Sequence, residues 1–129
     1  KKFAGSLIHN SDFQSSRSVL LTDNASQEQN KATYANMRNR IKQVCELARK
    51  DETLTIFFAG HGVTIDDKGY LVPQNGGDKG TSISLAWLKR QMRNSKAKTK
   101  FLSWTPATAV AMFWGSKGYR RMSNNLLTL

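Results

Sequence analysis

An α/β fold, a sandwich of helices on mostly parallel strands, is predicted by three observations. A helical repeat runs through residues 33–50, where Met37, Ile41, Val44 and Ala48 recur at intervals of four, three and four. The segment Thr53 to Ala59 follows at once and is apolar on both faces near its end (Ile56, Phe57, Phe58), the pattern of a central strand covered on each side. The alternation then repeats, with a second helix pattern after Ser84 and a strand pattern from Lys100 to Trp104.

Taken in order, Lys2 to Leu7 reads as a short helical remnant with Phe3 and Leu7 on one face, and His9 to Ser16 as polar loop. Ser18-Val19-Leu20-Leu21 is a brief apolar strand, and Asp23-Asn24 is the turn that opens the loop after it. Thr33 is placed to cap the first long helix, and Arg49-Lys50 to meet the negative end of its dipole. After the central strand, Val63 to Pro73 reads as a hairpin with Asp66-Asp67-Lys68-Gly69 as its turn and Tyr70-Leu71-Val72 as its return. Ser84 caps a second helix whose Leu85, Leu88 and Met92 share a face. Residues 105–129 leave strand, helix and irregular chain all open, since the apolar run Ala107 to Trp114 leads only to a basic loop.

With 129 residues the chain has room for one core, and 39% apolar residues with two prolines and nine glycines exclude a disordered or collagen-like polymer. No run of about 18 apolar residues exists to cross a membrane as a helix. The single cysteine, Cys45, permits no internal disulfide and fits a reducing, cytoplasmic setting. The net charge of +11 is unevenly placed: residues 1–79 hold eleven basic and nine acidic side chains, residues 80–129 nine basic and none acidic. A nucleic-acid-binding module is one reading of that charge, but no reader motif accompanies Lys89, Arg90, Arg93, Lys96, Lys98 and Lys100, and a solvated helix edge explains them more simply.

His61 stands out chemically. It lies just past the carboxyl end of the buried strand, where open α/β sheets place their sites, and Gly60 and Gly62 flank it. An imidazole there can take and return a proton, and the unshielded amide of Gly62 can serve an oxyanion. A nucleophile is harder to find. Cys45 falls mid-helix beside Val44, where a buried thiol is inert; Ser103, Thr105 and Thr108 have no following acid to complete a triad. His9 and His61 lack cysteine partners at metal-ligand spacing, and the pair Asp66-Asp67 is explained by a hairpin turn as readily as by a cation.

The run Thr53 to Gly62, followed by Gly69-Tyr70-Leu71-Val72-Pro73 and Ile83-Ser84-Leu85-Ala86-Trp87-Leu88, resembles the caspase-like domain of metacaspases and bacterial caspase homologues. Val19 to Asp23, and Ala32-Thr33 with Asn36, match the family's second strand and the opening of its next helix. The resemblance covers roughly Phe3 to Phe101 and implies a three-layer α/β/α sandwich with a mainly parallel sheet, incomplete at both ends, the family's first strand being expected ahead of Phe3. It implies a cysteine endopeptidase in which His61 pairs with a cysteine at the end of the next parallel strand and Gly62 supplies an oxyanion amide. Substrates would be peptides or proteins cleaved after Arg or Lys, as in metacaspases, or after Asp, as in caspases. No cofactor is implied beyond the calcium that activates some members.

One departure is severe. The family's Asp-Ala-Cys-His-Ser-Gly is replaced by Thr105-Pro106-Ala107-Thr108-Ala109-Val110, so the cysteine position falls on Ala107 and the chain as written is expected to be inactive. Codons for Trp104-Thr105 contain TGG-ACN, and reading two bases on produces GAC, an Asp codon. Synonymous codons for Ser103 through Ala111 can then read Leu-Asp-Ala-Cys-His-Ser-Gly-Gly. Residues 1–104 are therefore expected to form a partial peptidase domain and 105–129 an anomalous basic tail, either an out-of-frame translation of the motif or the tail of a diverged pseudoenzyme serving as regulator or adaptor. Unless that tail supplies a strand, unpaired sheet edges are expected to lower cooperativity or drive homo-oligomerisation.

Overall fold

The computed structural model describes residues 17–105, 109–115 and 126–128, with backbone alone for Thr105, Ala109 and 126–128. Its elements are β1 (Ser18–Thr22), a 3-10 turn (Glu28–Asn30), α1 (Tyr34–Leu47), β2 (Thr53–Ala59), β3 (Gly62–Ile65), β4 (Lys68–Leu71), β5 (Ile83–Ser84), α2 (Leu85–Asn94), β6 (Thr99–Thr105), β7 (Ala109–Gly115) and β8 (Leu126–Thr128). They form a mixed α/β domain. A main sheet runs β1-β7-β2-β6-β8, and a smaller antiparallel sheet runs β3-β4-β5.

Both helices start where a side chain meets the first unsatisfied amides. The hydroxyl of Thr33 accepts from the N–H of Asn36 (3.3 Å), and that of Ser84 from Trp87 (3.2 Å), as expected. Asn36 adds a second tie, its amide donating to the carbonyls of Glu28 (2.8 Å) and Lys31 (3.0 Å). The first helix stops at Leu47, earlier than its periodicity suggests, because Glu52 captures the next turn: its carboxylate accepts from the N–H of Arg49 at 2.8 Å. Both helices pack on one face of the main sheet. Met37, Ile41 and Val44 from α1 and Trp87, Leu88 and Met92 from α2 join Leu54, Ile56 and Phe58 of β2 in a single core. Trp87 turns its outer ring face to the guanidinium of Arg38, 4.4 Å from the ring centroid.

Two expectations for the fold need correcting. Only β2 and β6 pair directly in parallel; β1–β7, β7–β2 and β6–β8 are antiparallel, so the sheet is mixed rather than mainly parallel. The expected three layers reduce to two among the described residues, which place no helix on the second face, although Thr55, Phe57, Ser103 and Phe113 there are buried.

The reason for the mixed sheet lies in the tail. Residues 109–115, open between strand, helix and irregular chain in the sequence, form β7 and insert between β1 and β2. Val110, Met112 and Trp114 of β7 lie opposite Phe58, Ile56 and Leu54, and Val110 and Met112 also lie opposite Leu21 and Val19. Arg17 locks the far end of this arrangement. Its guanidinium donates to the carbonyl of Trp114 (3.1 Å), lies 5.8 Å from that indole ring, and forms an ion pair with the buried Glu52. Lys2 to Ser16, including the expected helical remnant and polar loop, lie outside the described residues.

Candidate active site

β2 is buried along its whole length and delivers its carboxyl end to the edge of the core, where Gly60 and His61 follow. A Cβ on Gly60 would lie 2.8 Å from the ring of Phe58, so the backbone passes over that ring at a distance only glycine tolerates. His61 is exposed, but its backbone is held: its carbonyl accepts from the N–H of Val72 at 2.9 Å as β3 opens against β4. Backbone direction alternates along a strand, so the N–H of the next residue, Gly62, points away from β4 and is left out of the hairpin ladder. Gly62 is exposed as well. An exposed imidazole beside an amide outside the hairpin ladder is the pair that proton transfer and oxyanion binding require.

Beside His61 lies a cavity of about 300 Å³, lined among others by Asp23, Met37, Phe58, Pro73 and Gly76. Its apolar floor comes from the core, and its polar groups from loops at the ends of β1 and β2. The loop after β4 is tied across to the start of α1: the N–H of Gln74 donates to Ala32 (2.8 Å), and the N–H of Tyr34 to the side-chain oxygen of Asn75 (2.9 Å). Gly76 completes the wall where a Cβ would meet the carbonyl of Thr81 at 2.1 Å. Asp23 is a functional candidate that the sequence reading placed in a turn and at the end of the family's second-strand match, not in the site. The available signal was positional, since it ends β1 as His61 ends β2.

In the parallel pairing, Thr105 of β6 lies opposite Ala59 of β2. His61 comes two residues after Ala59, and Ala107 two residues after Thr105. Ala107 itself lies outside the described residues, as do Thr108 and His9.

Residues 1–83 match the family described as metacaspase, peptidase C14 domain. The chain belongs to that metacaspase family. No curated protein and no solved structure matches it. Membership in a caspase-like cysteine peptidase family carries with it peptide or protein substrates.

Within this metacaspase-family chain, Cys45 lies on the buried side of α1 and not at a strand end. It sits in the core between α1 and the sheet, and burial pushes its thiol up to about 12, outweighing the favourable field of Lys100. The hydroxyl of Ser103 is also enclosed, with only 1% of the residue exposed. Asp66 and Asp67 form the two-residue hairpin turn, both at positive φ (53° and 63°), and Asp66 is paired with Lys79 at 3.2 Å. No group of three or more His, Cys, Asp or Glu that could hold a metal ion gathers among the described residues. Arg90, Arg93, Lys96 and Lys98 are exposed on α2 and the turn after it, and Lys100 donates to the carbonyl of Arg93 (2.8 Å). No helix among the described residues is long and apolar enough to cross a membrane.

Proposed function

We propose that this chain is a caspase-like peptidase scaffold that binds peptides at the His61 cavity and does not cleave them. The observation that carries this reading is the parallel pairing of Ala59 with Thr105, since His61 and Ala107 each stand two residues further along the sequence from that pair. In a working site the imidazole takes the proton of a thiol at the second position, the thiolate attacks the scissile carbonyl, and the amide of Gly62 receives the negative oxygen. A methyl group at Ala107 has no proton to give and no lone pair to attack with. Binding and positioning remain; the acyl-enzyme does not form. The carboxylate of Asp23 on the cavity wall favours a cationic Arg or Lys side chain over Asp in the bound peptide.

The out-of-frame reading of residues 104–111 accounts for Ala107 and agrees with the lack of acidic residues in 105–129, and it makes inactivity a property of the reading frame. Sequencing the gene across codons 100–112 separates it from divergence, because a diverged gene lacks the Asp-Ala-Cys-His frame.

The protein-level test uses fluorogenic peptides ending in Arg, Lys or Asp, with and without calcium. The chain as written should show no turnover. Ala107→Cys should acquire turnover on Arg and Lys peptides, and adding His61→Ala should remove it. Turnover by the unaltered chain, or a folded Ala107→Cys variant that stays silent, would refute the proposed dyad geometry.

A further inference from the structure

β1 is the outer strand of the main sheet, paired with β7 on one edge and with no described strand on the other. Its last residue is engaged there: the carbonyl of Thr22 accepts from Ala32 (3.2 Å) and Ala25 (3.5 Å). Alternation turns the N–H and C=O of Leu20, two residues back, to the same outer side. A groove of about 480 Å³ runs along this edge, lined by Val19, Leu20, Ala25, Gln27, Asn30 and Arg40 among others. Arg40, reaching over from α1, has its Nε buried without a hydrogen-bond partner, and it belongs to none of the ion pairs among the described residues. The groove therefore holds a strand edge whose Leu20 N–H and C=O have no hydrogen-bond partner among the described residues, beside a guanidinium whose Nε is buried without one.

We propose that this edge accepts an extended segment of a partner protein, paired through its main chain to Leu20 and presenting a carboxylate to Arg40. Strand addition satisfies N–H and C=O together, which a small anion cannot do. An acidic partner is favoured by a guanidinium with no ion pair among the described residues and by the net charge of +11. A second copy of the chain is disfavoured by the same charge, and β1 (Ser-Val-Leu-Leu-Thr) has no carboxylate to offer Arg40. The groove is separate from the His61 cavity, so the two proposals stand or fall independently.

The test is fluorescence anisotropy of the full chain with a labelled eight-residue peptide of alternating Thr and Val carrying one central Glu. Saturable binding is expected, weakened about tenfold or more by Arg40→Gln or by replacing the peptide's Glu with Gln, the loss due to a charge-assisted contact. Leu20→Pro, which removes an N–H outside the β1–β7 ladder, should abolish binding while leaving the melting profile cooperative. Peptides N-methylated at alternate residues, in either phase, probe the same edge without altering the protein: one phase should bind and the other fail. Equal binding by both phases, indifference to Arg40→Gln, or no saturation would overturn the proposal. So would a concentration-dependent dimer that Leu20→Pro dissolves, since that assigns the edge to a second copy.

Discussion

At the scale of single residues, Cys45 and His61 illustrate how position decides chemistry. Both side chains are capable of reaction, but one is enclosed by the core and the other stands at a strand mouth. The thiol of Cys45 ordinarily titrates near 9 and is pushed to about 12 by burial. Below pH 9 it is neutral folded and unfolded, and contributes no pH dependence. Between 9 and 12 the unfolded chain ionises first, so stability should fall by up to roughly 1.4 kcal/mol per pH unit. Denaturant titrations of the chain and of Cys45→Ala across that range should show the shallower slope in the variant. The hairpin turn supplies a second residue-scale prediction. Asp67 is held at φ 63°, so Asp67→Gly should stabilise the fold by about 0.5–1 kcal/mol, readable as a rise in melting temperature.

At the scale of elements, β7 is the strand on which the sheet depends. Its residues Val110, Met112 and Trp114 belong to the core, and its other face is equally enclosed, Phe113 meeting Phe57 edge-to-face at 6.2 Å between centroids. Arg17 holds that strand at the end remote from His61. Arg17→Ala removes the cation from Glu52, which is 7% exposed, and the donor from the Trp114 carbonyl. The expected loss is about 2–3 kcal/mol in a urea melt, less than for a fully buried pair because Arg17 is itself only partly covered. A loss near zero would mean that β7 holds its place by apolar packing alone. The helices and β2 were legible beforehand, because caps and apolar periodicity are local: Thr33, Ser84 and the run Thr53 to Ala59 all act where the reading placed them. The pairing of β7 was not, because Ala109 to Gly115 carries an apolar run that suits a strand or a helix until partners are known.

For the whole molecule, the condition under which unpaired edges were expected between β1 and β2 is not met, since β7 fills that gap. The full chain should therefore unfold in one cooperative calorimetric transition at a monomeric mass, measured by sedimentation. A chain ended at Thr105 loses β7, the strand that joins β1 to β2, and should lack that transition and the near-ultraviolet signal of a packed core. If the shortened chain melts as sharply as the full one, β7 is not part of the cooperative unit. Family membership rests on residues 1–83, yet the sheet those residues build is completed by residues beyond them.

By itself the amino-acid order determined the helices, their caps, the central strand, the hairpin turn and the placement of His61 at a strand end. Each follows from neighbours within a few positions, where steric and hydrogen-bonding preferences act. Only the tertiary structure decided that β7 lies antiparallel between β1 and β2, that Asp23 shares a cavity with His61, and that Arg40 shares a groove with β1. These are meetings of segments far apart in the chain, selected by which apolar faces can be buried together, and no local pattern encodes the partner.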